Sequence, residues 1–531
     1  LAARSTYDGA DDRNAENFPA WSMSDAMRLE QLAMTGTLGN SFYASAKEVT
    51  ADAIRLLERA DASALAKAIV RGRQEGFIRS FPILGLLYLS QKDATLFQEV
   101  FPQVVITGND LGDFIDLTRR RRGFGRSIKR AITNWLATKT TPYYAMKYRK
   151  PLADAIRISR FRGSEPIYAY ILNAYSNVKG MNDEKLEAAY LNCPELAARR
   201  RFIGLLDDGK TVEAAQLLRE AKLDVDSLTA YYDRFDTEIW LAVAERTPVM
   251  KFLKFLAKFA RERVDLDRIA QEKITVDNLR RAKVFPFRLY TAYHGYLDAL
   301  PLSADGKKFE CKPFAEVFGD KDEKAPTFPV LSVVDTLVKV LDDYTERYDW
   351  SDFAKYSWVI APDMSGSMTS RIGNSGNLTF ATVAAMFTAF FNKAPLQAQI
   401  LPWTTKVLSY NVPRRDSVIM QMNAIINAVG GGTYMETPVE YMIAQNKRVD
   451  YSVFITDTEE YGSGWFAAWK RYHRKFPGVR AFIIRLDSYR TSPIPDDEAA
   501  KYGVWQIFGW NDSVIEYMRY IVMENQMKGN K

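Results

Sequence analysis

Histidine, cysteine and long apolar runs are scarce in this sequence. Among 531 residues there are two histidines, His294 and His473, and two cysteines, Cys193 and Cys311. So few histidines argue against a histidine-ligated zinc site and leave few candidates for the base of a serine–histidine hydrolase. Two distant cysteines do not make a disulfide framework, so we expect a reducing compartment, the cytoplasm. No run of about 18 apolar residues occurs, so we expect no membrane span.

The overall composition is that of a globular protein, with 47% apolar and 26% charged residues. A chain of 531 residues can hold two to four domains. The sequence changes character at Pro301–Pro329, where four prolines surround the charged run Asp320–Lys324. This composition predicts a connector between two parts of the chain.

Before the connector, residues from about 20 to 300 show apolar side chains at the three- and four-residue spacing of helices. Clear examples are Ala51–Glu58, Leu96–Val105 and Leu152–Ser159. Many short helices with short polar turns predict stacked helical pairs of the HEAT or armadillo kind. Because no repeating sequence signature is visible, an irregular helical domain is the alternative.

Positive charge is concentrated in one stretch of this helical region, Arg119–Arg162. It holds 14 basic residues, 10 of them arginine, against a single acid, Asp154. The stretch therefore carries +13, whereas the whole chain carries +7, so the remainder carries about −6. A partner rich in negative charge relieves such self-repulsion, and arginine binds phosphate bidentately and stacks on bases.

We therefore predict a nucleic-acid or other polyanion surface here, with a solvated basic face that binds nothing specific as the alternative. The candidate contact residues are Arg119, Arg120, Arg121, Arg122, Arg126, Lys129, Arg130, Lys147, Arg149, Lys150, Arg157, Arg160 and Arg162. Arg126, Lys129 and Arg130 have the i, i+3, i+4 spacing of one helix face, and Ile128, Ile132 and Trp135 lie on another.

Aromatic residues lie among these charges and are candidates for stacking on unpaired bases. They are Tyr143, Tyr144, Tyr148 and Phe161.

Beyond the connector, a helix is predicted at Leu331–Tyr344, and short apolar strands then alternate with helices. The predicted strands are Tyr356–Pro362, Ala398–Pro402, Tyr451–Thr456, Ala481–Leu486 and Val504–Phe508. The predicted helices are Thr379–Phe391, Val418–Val429, one from Pro438, and Ser513–Glu524. This alternation predicts a doubly wound parallel sheet.

Polar residues follow the ends of these strands, where ligands of such sheets bind. Asp363, Ser365 and Ser367 follow the first strand, Thr433 closes the glycine-rich loop 430–433, and Asp457 follows the strand that ends at residue 456. Two carboxylates and three hydroxyls suit one Mg²⁺, with Mn²⁺ or Ca²⁺ as alternatives, rather than zinc. Ordinary serine and threonine turn chemistry is the competing interpretation.

This set of residues resembles the metal-ion-dependent adhesion site (MIDAS) of the von Willebrand factor A family. The helical region in turn resembles the Ro autoantigen family, whose TROVE domain precedes such a domain. The matching stretches are Gly123–Ile132, Asn134-Trp135, Lys147-Tyr148-Arg149 and Leu152–Ser159, with weaker matches at Thr247-Pro248 and Phe285–Arg288.

The resemblance implies a ring of HEAT-like helices over residues 18–345, closed by a von Willebrand factor A-like domain over residues 353–531. It implies an RNA-binding scaffold of a small ribonucleoprotein. Structured Y-like noncoding RNA would bind the outer basic surface, and single-stranded ends of misfolded RNA would enter the central hole. It also implies a role in RNA quality control or processing alongside an exoribonuclease, and no membrane partner.

Other classes of function stay open at this point. The chain could be a metal-dependent protein-interaction module, whose A domain grips an acidic residue of a partner while the helical domain binds other polyanions. A metal-dependent nuclease is less compatible, because the motifs place no histidine or lysine beside the carboxylates and an adhesion-type site holds one metal. We therefore expect that this protein is not an enzyme.

Overall fold

The computed structural model describes residues 10–14, 17–36, 38, 46–173, 183–221, 223–300, 330–346, 349–372, 378–459, 464–511 and 513–529. The chain forms two compact units. The first takes in the residues up to Val105 and those from Tyr344 onward, and the second takes in residues 106–343. The first helices therefore group with the C-terminal sheet, although the sequence suggested boundaries at 18–345 and 353–531. The predicted connector, 301–329, lies outside the described residues.

The N-terminal part of the first unit holds two short strands and five helices. They are β1 (Asp12–Arg13), β2 (Pro19–Ser22), α1 (Asp25–Thr35), α2 (Ala46–Arg59), α3 (Ala62–Gln74), α4 (Ser80–Lys92) and α5 (Ala94–Val104). Three of these helices begin at a polar cap of the usual kind. Ser24 caps α1, Asp61 caps α3, and Asp93 caps α5 by accepting the N–H groups of Thr95 and Leu96.

The second unit is helical throughout its described residues, as the apolar spacing predicted. Its α-helices are α6 (Gly108–Arg121), α7 (Arg126–Lys139), α8 (Pro142–Lys147), α9 (Arg149–Ser159), α10 (Ile167–Leu172), α11 (Asp183–Asn192), α12 (Pro194–Asp207), α13 (Thr211–Glu220), α14 (Thr237–Arg246), α15 (Val249–Arg261), α16 (Asp267–Lys273), α17 (Val276–Arg281), α18 (Pro286–Ala299) and α19 (Val330–Glu346), the last of which crosses into the first unit. A 3₁₀ helix spans Val225–Arg234.

Helices α6, α7 and α9 show why the sequence folds this way locally. Thr107 and Asp110 form a capping box that starts α6. In α7 the predicted apolar face is buried, with Ile128, Ile132 and Trp135 each at most 2% exposed. Both α6 and α7 pack against α9. The basic stretch is therefore carried by one packed group of helices.

The C-terminal part of the first unit is the predicted alternation of strands and helices. The strands are β3 (Ser357–Pro362), β4 (Gln397–Ile400), β5 (Tyr451–Thr456), β6 (Arg480–Arg485), β7 (Thr491–Ser492) and β8 (Val504–Phe508). The helices are α20 (Phe380–Lys393), α21 (Val418–Ile426), α22 (Thr437–Ala444), α23 (Trp465–Lys475), α24 (Asp496–Ala499) and α25 (Ser513–Gly529), with a 3₁₀ turn at Gly366–Thr369.

Five of these strands form one parallel sheet in the order β4-β3-β5-β6-β8. The side chains of β5 are all buried, and β3 and β6 are buried beyond their first residues. Strands covered on both faces explain why they appear in the sequence as continuous apolar runs. The register pairs Pro362 with Ile455, so that β3 and β5 end side by side.

The two N-terminal strands were not predicted. They form a small antiparallel sheet in the order β1-β2-β7, in which Trp21 pairs with Ser492. Trp21 is buried in the core of the C-terminal sheet and contacts Phe466 edge-on, with the ring centroids 5.5 Å apart. The N-terminal segment thus completes this core.

Across the ranges that the structure describes, we find no helix that combines the length and the apolar character needed to cross a membrane.

Candidate functional site

The five predicted metal ligands lie beyond the carboxyl ends of β3 and β5 and on the glycine-rich loop beside them. All are buried, with exposures from 0% at Asp363, Ser365 and Asp457 to 4% at Thr433. Two backbone hydrogen bonds tie the glycine-rich loop to the loop after β3. Gly366 donates to the carbonyl of Gly431 at 3.0 Å, and Gly430 donates to that of Met364 at 2.8 Å.

A chain of hydrogen bonds fixes the Asp363 carboxylate. Its Oδ1 accepts the N–H of Ser365 at 2.8 Å, and its Oδ2 accepts the hydroxyl of Thr456 at 2.6 Å. The Thr456 hydroxyl accepts the N–H of Thr458 at 2.9 Å. The hydroxyls of Ser365 and Ser367 are 3.1 Å apart. These bonds are made between the end of β5 and the loops after β3 and β5, so the carboxylate is held in one orientation before any ligand arrives.

Thr458 has a backbone angle φ of 58°, in the left-handed region. A β-branched side chain is strained there, and such strain is stored at functional sites more often than elsewhere. Its position directly after Asp457 makes the strained residue part of the loop that presents this carboxylate.

Two carboxylates that are fully buried side by side repel each other and lose hydration. Burial raises the pKa of Asp363 to about 6. Burial and then the charge of Asp363 raise the pKa of Asp457 to about 8. The two groups titrate as a pair, so this pair retains a proton near neutral pH in the absence of a cation.

The donor set fits a hard divalent cation. Within the described part of the chain, Oδ2 of Asp457 is buried and has no hydrogen-bond partner, which leaves a carboxylate oxygen for a ligand. The same residues contain no group of three or more histidine, cysteine, aspartate or glutamate side chains placed to hold a metal. A site here would therefore depend on hydroxyl ligands beside the two carboxylates, as the prediction requires.

Two further carboxylates near the site were missed from the sequence. Glu459 is 1% exposed, and Asp487, which follows β6, is 2% exposed and contributes to the raised pKa of Asp457. Asp487 pairs with Arg485 at 2.9 Å. Glu459 follows directly in the motif Thr456–Glu459 and could have been flagged, whereas nothing in the sequence marks Asp487 as a neighbour.

A second candidate site is the basic surface of the helical unit. Ten of the predicted contact residues are exposed, namely Arg119, Arg120, Arg121, Arg122, Arg126, Arg130, Lys150, Arg157, Arg160 and Arg162, and Lys129 is half-buried. They cluster where α6 ends and α7 begins, and along α9. Gly125 precedes α7 without a side-chain cap, and the first turn of α7 contains no acid.

Arg119 pairs with Asp116 at 3.0 Å and stays exposed. Two other predicted contact residues are half-buried and have internal partners. Lys147 pairs with Asp226 at 2.5 Å, and Arg149 donates to the carbonyl of Tyr170 at 2.8 Å while lying 4.1 Å from the centre of its ring. Burial alone would lower the pKa of Lys147, but hydrogen bonds to Asp226 and Tyr143 raise it. Both side chains are therefore engaged in joining helices of this unit.

The aromatic residues of the stretch are mostly internal as well. Tyr148 is 7% exposed, so the expectation that its ring stacks on a base is wrong. Tyr144 packs against Trp135, and Phe161 packs against Tyr168. Tyr143 is 39% exposed, and the Lys147 ammonium lies 5.0 Å from the centre of its ring.

The two histidines have no part in either site. His294 lies between the rings of Tyr290 and Tyr293, and His473 contacts Tyr502 edge-on. Burial lowers the pKa of both. Both pack against tyrosine rings.

The helices and the parallel sheet with polar loops at its strand ends define a class of protein, a helical region followed by a von Willebrand factor A-type domain. Residues 357–518 match the family model of the Ro60 vWA domain. The RNA-binding protein RO60 of Deinococcus radiodurans is 23% identical over 473 residues, which cover 84% of this chain and 82% of that protein.

The crystal structure of the Ro (RSR) protein of Deinococcus radiodurans has the same fold. It superposes with a TM-score of 0.63 at 19% identity, over 94% of this chain and 99% of the other. The matched domain, the relative and the shared fold thus confirm the resemblance to the Ro family.

Proposed function

We propose that this chain is an RNA-binding scaffold without catalytic activity, and that its RNA contacts lie on the basic surface of the helical unit. The observation that carries the proposal is the group of ten exposed cations on α6, α7 and α9 and the turns that follow them. The relationship to a protein named for RNA binding supports it.

The position of the cations on α7 favours a binding role over a structural one. Cations in the first turn of a helix oppose the helix dipole, at a cost of about 0.3–1 kcal/mol each. Arg126, Lys129 and Arg130 lie in the first turns of α7, and no acid offsets them. Main-chain N–H groups and arginines at the start of a helix suit a phosphate group, which would offset this cost.

The first proposed ligand is a structured noncoding RNA that is Y-like in having a duplex part. The second proposed ligand is the single-stranded end of a misfolded RNA. Phosphates of a duplex suit the exposed arginines, and the Tyr143 ring suits an unpaired base. Lys147 and Arg149 are left out of the proposed contact set because their side chains are half-buried and have internal partners. The chain would act in RNA quality control or processing in the cytoplasm, alongside an exoribonuclease.

We also propose one divalent cation, Mg²⁺ first, held by Asp457 with Ser365, Ser367 and Thr433, and by Asp363 through water. The cation would supply a positive centre for a carboxylate of a partner protein. The fixed Asp363 carboxylate and the buried free oxygen of Asp457 support this assignment. The alternative function is a protein-interaction module with a generic polyanion surface. It has the same metal site as the RNA-binding scaffold, and the two proposals differ in what the helical unit binds.

A competition experiment separates the two. A labelled hairpin RNA with an unpaired 3′ end is bound by the full chain and displaced by the same RNA unlabelled, by blunt duplex RNA, or by B-form DNA of equal length. We expect the hairpin to compete at least about tenfold better than the DNA, since the A-form groove and unpaired bases are absent from DNA. If the DNA competed as well as the hairpin RNA, the RNA-binding proposal would be refuted and the helical unit would be a generic polyanion surface.

A further inference from the structure

The outer edge of the parallel sheet is open. β4 is its edge strand, and a cleft of about 990 Å³ runs along it. The cleft is lined by β4 and Leu401, by the segment 407–412, and by residues of α22 together with Lys447. One residue of an added strand occupies roughly 3.3 × 4.8 × 10 Å, so the cleft has room for about six residues.

The main chain of β4 is oriented to pair with another strand in this cleft. Leu401 and Trp403 donate to the carbonyls of Ile360 and Pro362 at 2.8 and 3.1 Å, so their main-chain groups face β3. Successive residues of a strand point their main chains to opposite edges. The N–H and C=O groups of Ala398 and Ile400 therefore point outward, into the cleft.

The segment that follows β4 begins an antiparallel hairpin with the end of β4 but does not extend the pairing along the strand. Trp403 and Val407 form an isolated antiparallel bridge, and Leu408 donates to the carbonyl of Pro402 at 2.7 Å. In the described part of the chain, β3 is the one strand that pairs with β4. The phenolic oxygen of Tyr410, a cleft residue, is buried and lacks a hydrogen-bond partner among the described residues.

The charges beside the cleft favour one kind of peptide segment as its ligand. Residues 401–416, which flank the cleft, carry three cations, Lys406, Arg414 and Arg415, against one acid, Asp416. All three are exposed. The carboxylate in the cleft, Glu440, is paired with Arg471. An entering strand with acidic residues is therefore complementary to the border of the cleft.

We propose that the cleft beside β4 binds an extended acidic segment of a partner protein, which adds to the sheet as a strand. Its main chain would pair with Ala398 and Ile400, which gives affinity, and its carboxylates would lie near Arg414 and Arg415. None of the residues that line the cleft is one of the predicted metal ligands. Nucleic acid is the less suitable ligand, because it cannot supply alternating N–H and C=O groups along the edge.

The test uses decapeptides from a phage-displayed library with aspartate or glutamate fixed at both ends, selected on the full chain and then synthesised with a fluorophore. Fluorescence polarisation gives their affinities. We expect N-methylation of alternate peptide bonds to weaken binding by about tenfold, while methylation of the bonds between them changes it less than about threefold, because alternate N–H groups face β4.

Two protein variants locate the peptide. Ala398→Pro removes an outward N–H and keeps the pairing with β3, so it should weaken binding by about tenfold. Arg415→Glu should weaken binding severalfold in low salt, whereas Arg474→Glu, an exposed cation outside the cleft, should not. The N-methylation pattern is measured on the unaltered chain, so it decides the question even if Ala398→Pro fails to fold.

The proposal is overturned if no peptide is enriched over the starting library, if the methylation scan shows no alternation, or if RNA displaces the selected peptides while Ala398→Pro binds them normally.

Discussion

Alanine at Arg126, Lys129 and Arg130 should flatten the salt dependence of RNA binding. Each lost phosphate contact lowers the slope of log K against log salt by about 0.9 for a duplex and about 0.7 for a single strand. Three contacts thus correspond to about 2.7 or about 2.1. Between 50 and 200 mM salt, the unaltered chain should lose about 40-fold more affinity for a duplex than the variant does.

The fold should be unaffected by these changes, because Arg126 and Arg130 are exposed and Lys129 is half-buried. Surface substitutions of this kind change the free energy of unfolding by about 0.5 kcal/mol or less. A matched control replaces three exposed cations elsewhere in the same unit, Arg246, Lys254 and Arg281. Filter binding at five salt concentrations gives both slopes. If the control flattens the slope as much as the α7 variant, bulk charge and not this surface binds the RNA.

Three further predictions concern the first unit. Asp363→Ala should abolish Mg²⁺ or Mn²⁺ binding in calorimetry and leave RNA affinity within about twofold, and a large loss of RNA affinity in the folded variant would refute the separation of the two sites. The apparent Mg²⁺ affinity should rise from pH 6 to pH 8, with proton release on binding, because burial raises the pKa of Asp363, and burial and the charge of Asp363 raise the pKa of Asp457. A Mg²⁺ affinity that does not depend on pH would contradict this prediction. The metal-free chain should also lose folding stability from pH 6 to pH 8, since its folded state binds more protons than its unfolded state. Arg28→Met should cost about 3 kcal/mol of unfolding free energy, because Arg28 pairs with Asp52 and donates to the carbonyls of Ser488 and Tyr489, whereas Arg55→Met, at an exposed position, should cost less than about 0.5 kcal/mol.

The parts of the fold with a strong apolar pattern could be predicted from the sequence. β3 and β5 are buried on both faces and leave continuous apolar runs, so their ends and the polar loops after them could be located. The strand pairing of Trp21 with Ser492 could not, because strands of two to four residues have no measurable period and their partners lie at opposite ends of the chain.

The side-chain contacts of the basic surface could not be predicted from the sequence either. Charge density located the stretch, but a sequence does not show which cations meet an acid from another helix. Lys147 meets Asp226, and Arg149 lies on the ring of Tyr170, so both are withdrawn from the surface. Tyr148 alternates with charges in the sequence and is nevertheless buried. These contacts depend on packing between helices, which spacing along one helix cannot predict.

The central claim is that RNA contacts the basic surface carried by α6, α7 and α9. Ultraviolet crosslinking of a photoreactive hairpin RNA to the full chain, followed by mass spectrometry of the peptides, tests it most directly. We predict that the crosslinked peptides fall within residues 119–162, with Tyr143 among the modified residues. Crosslinks confined to peptides outside that stretch would contradict the account.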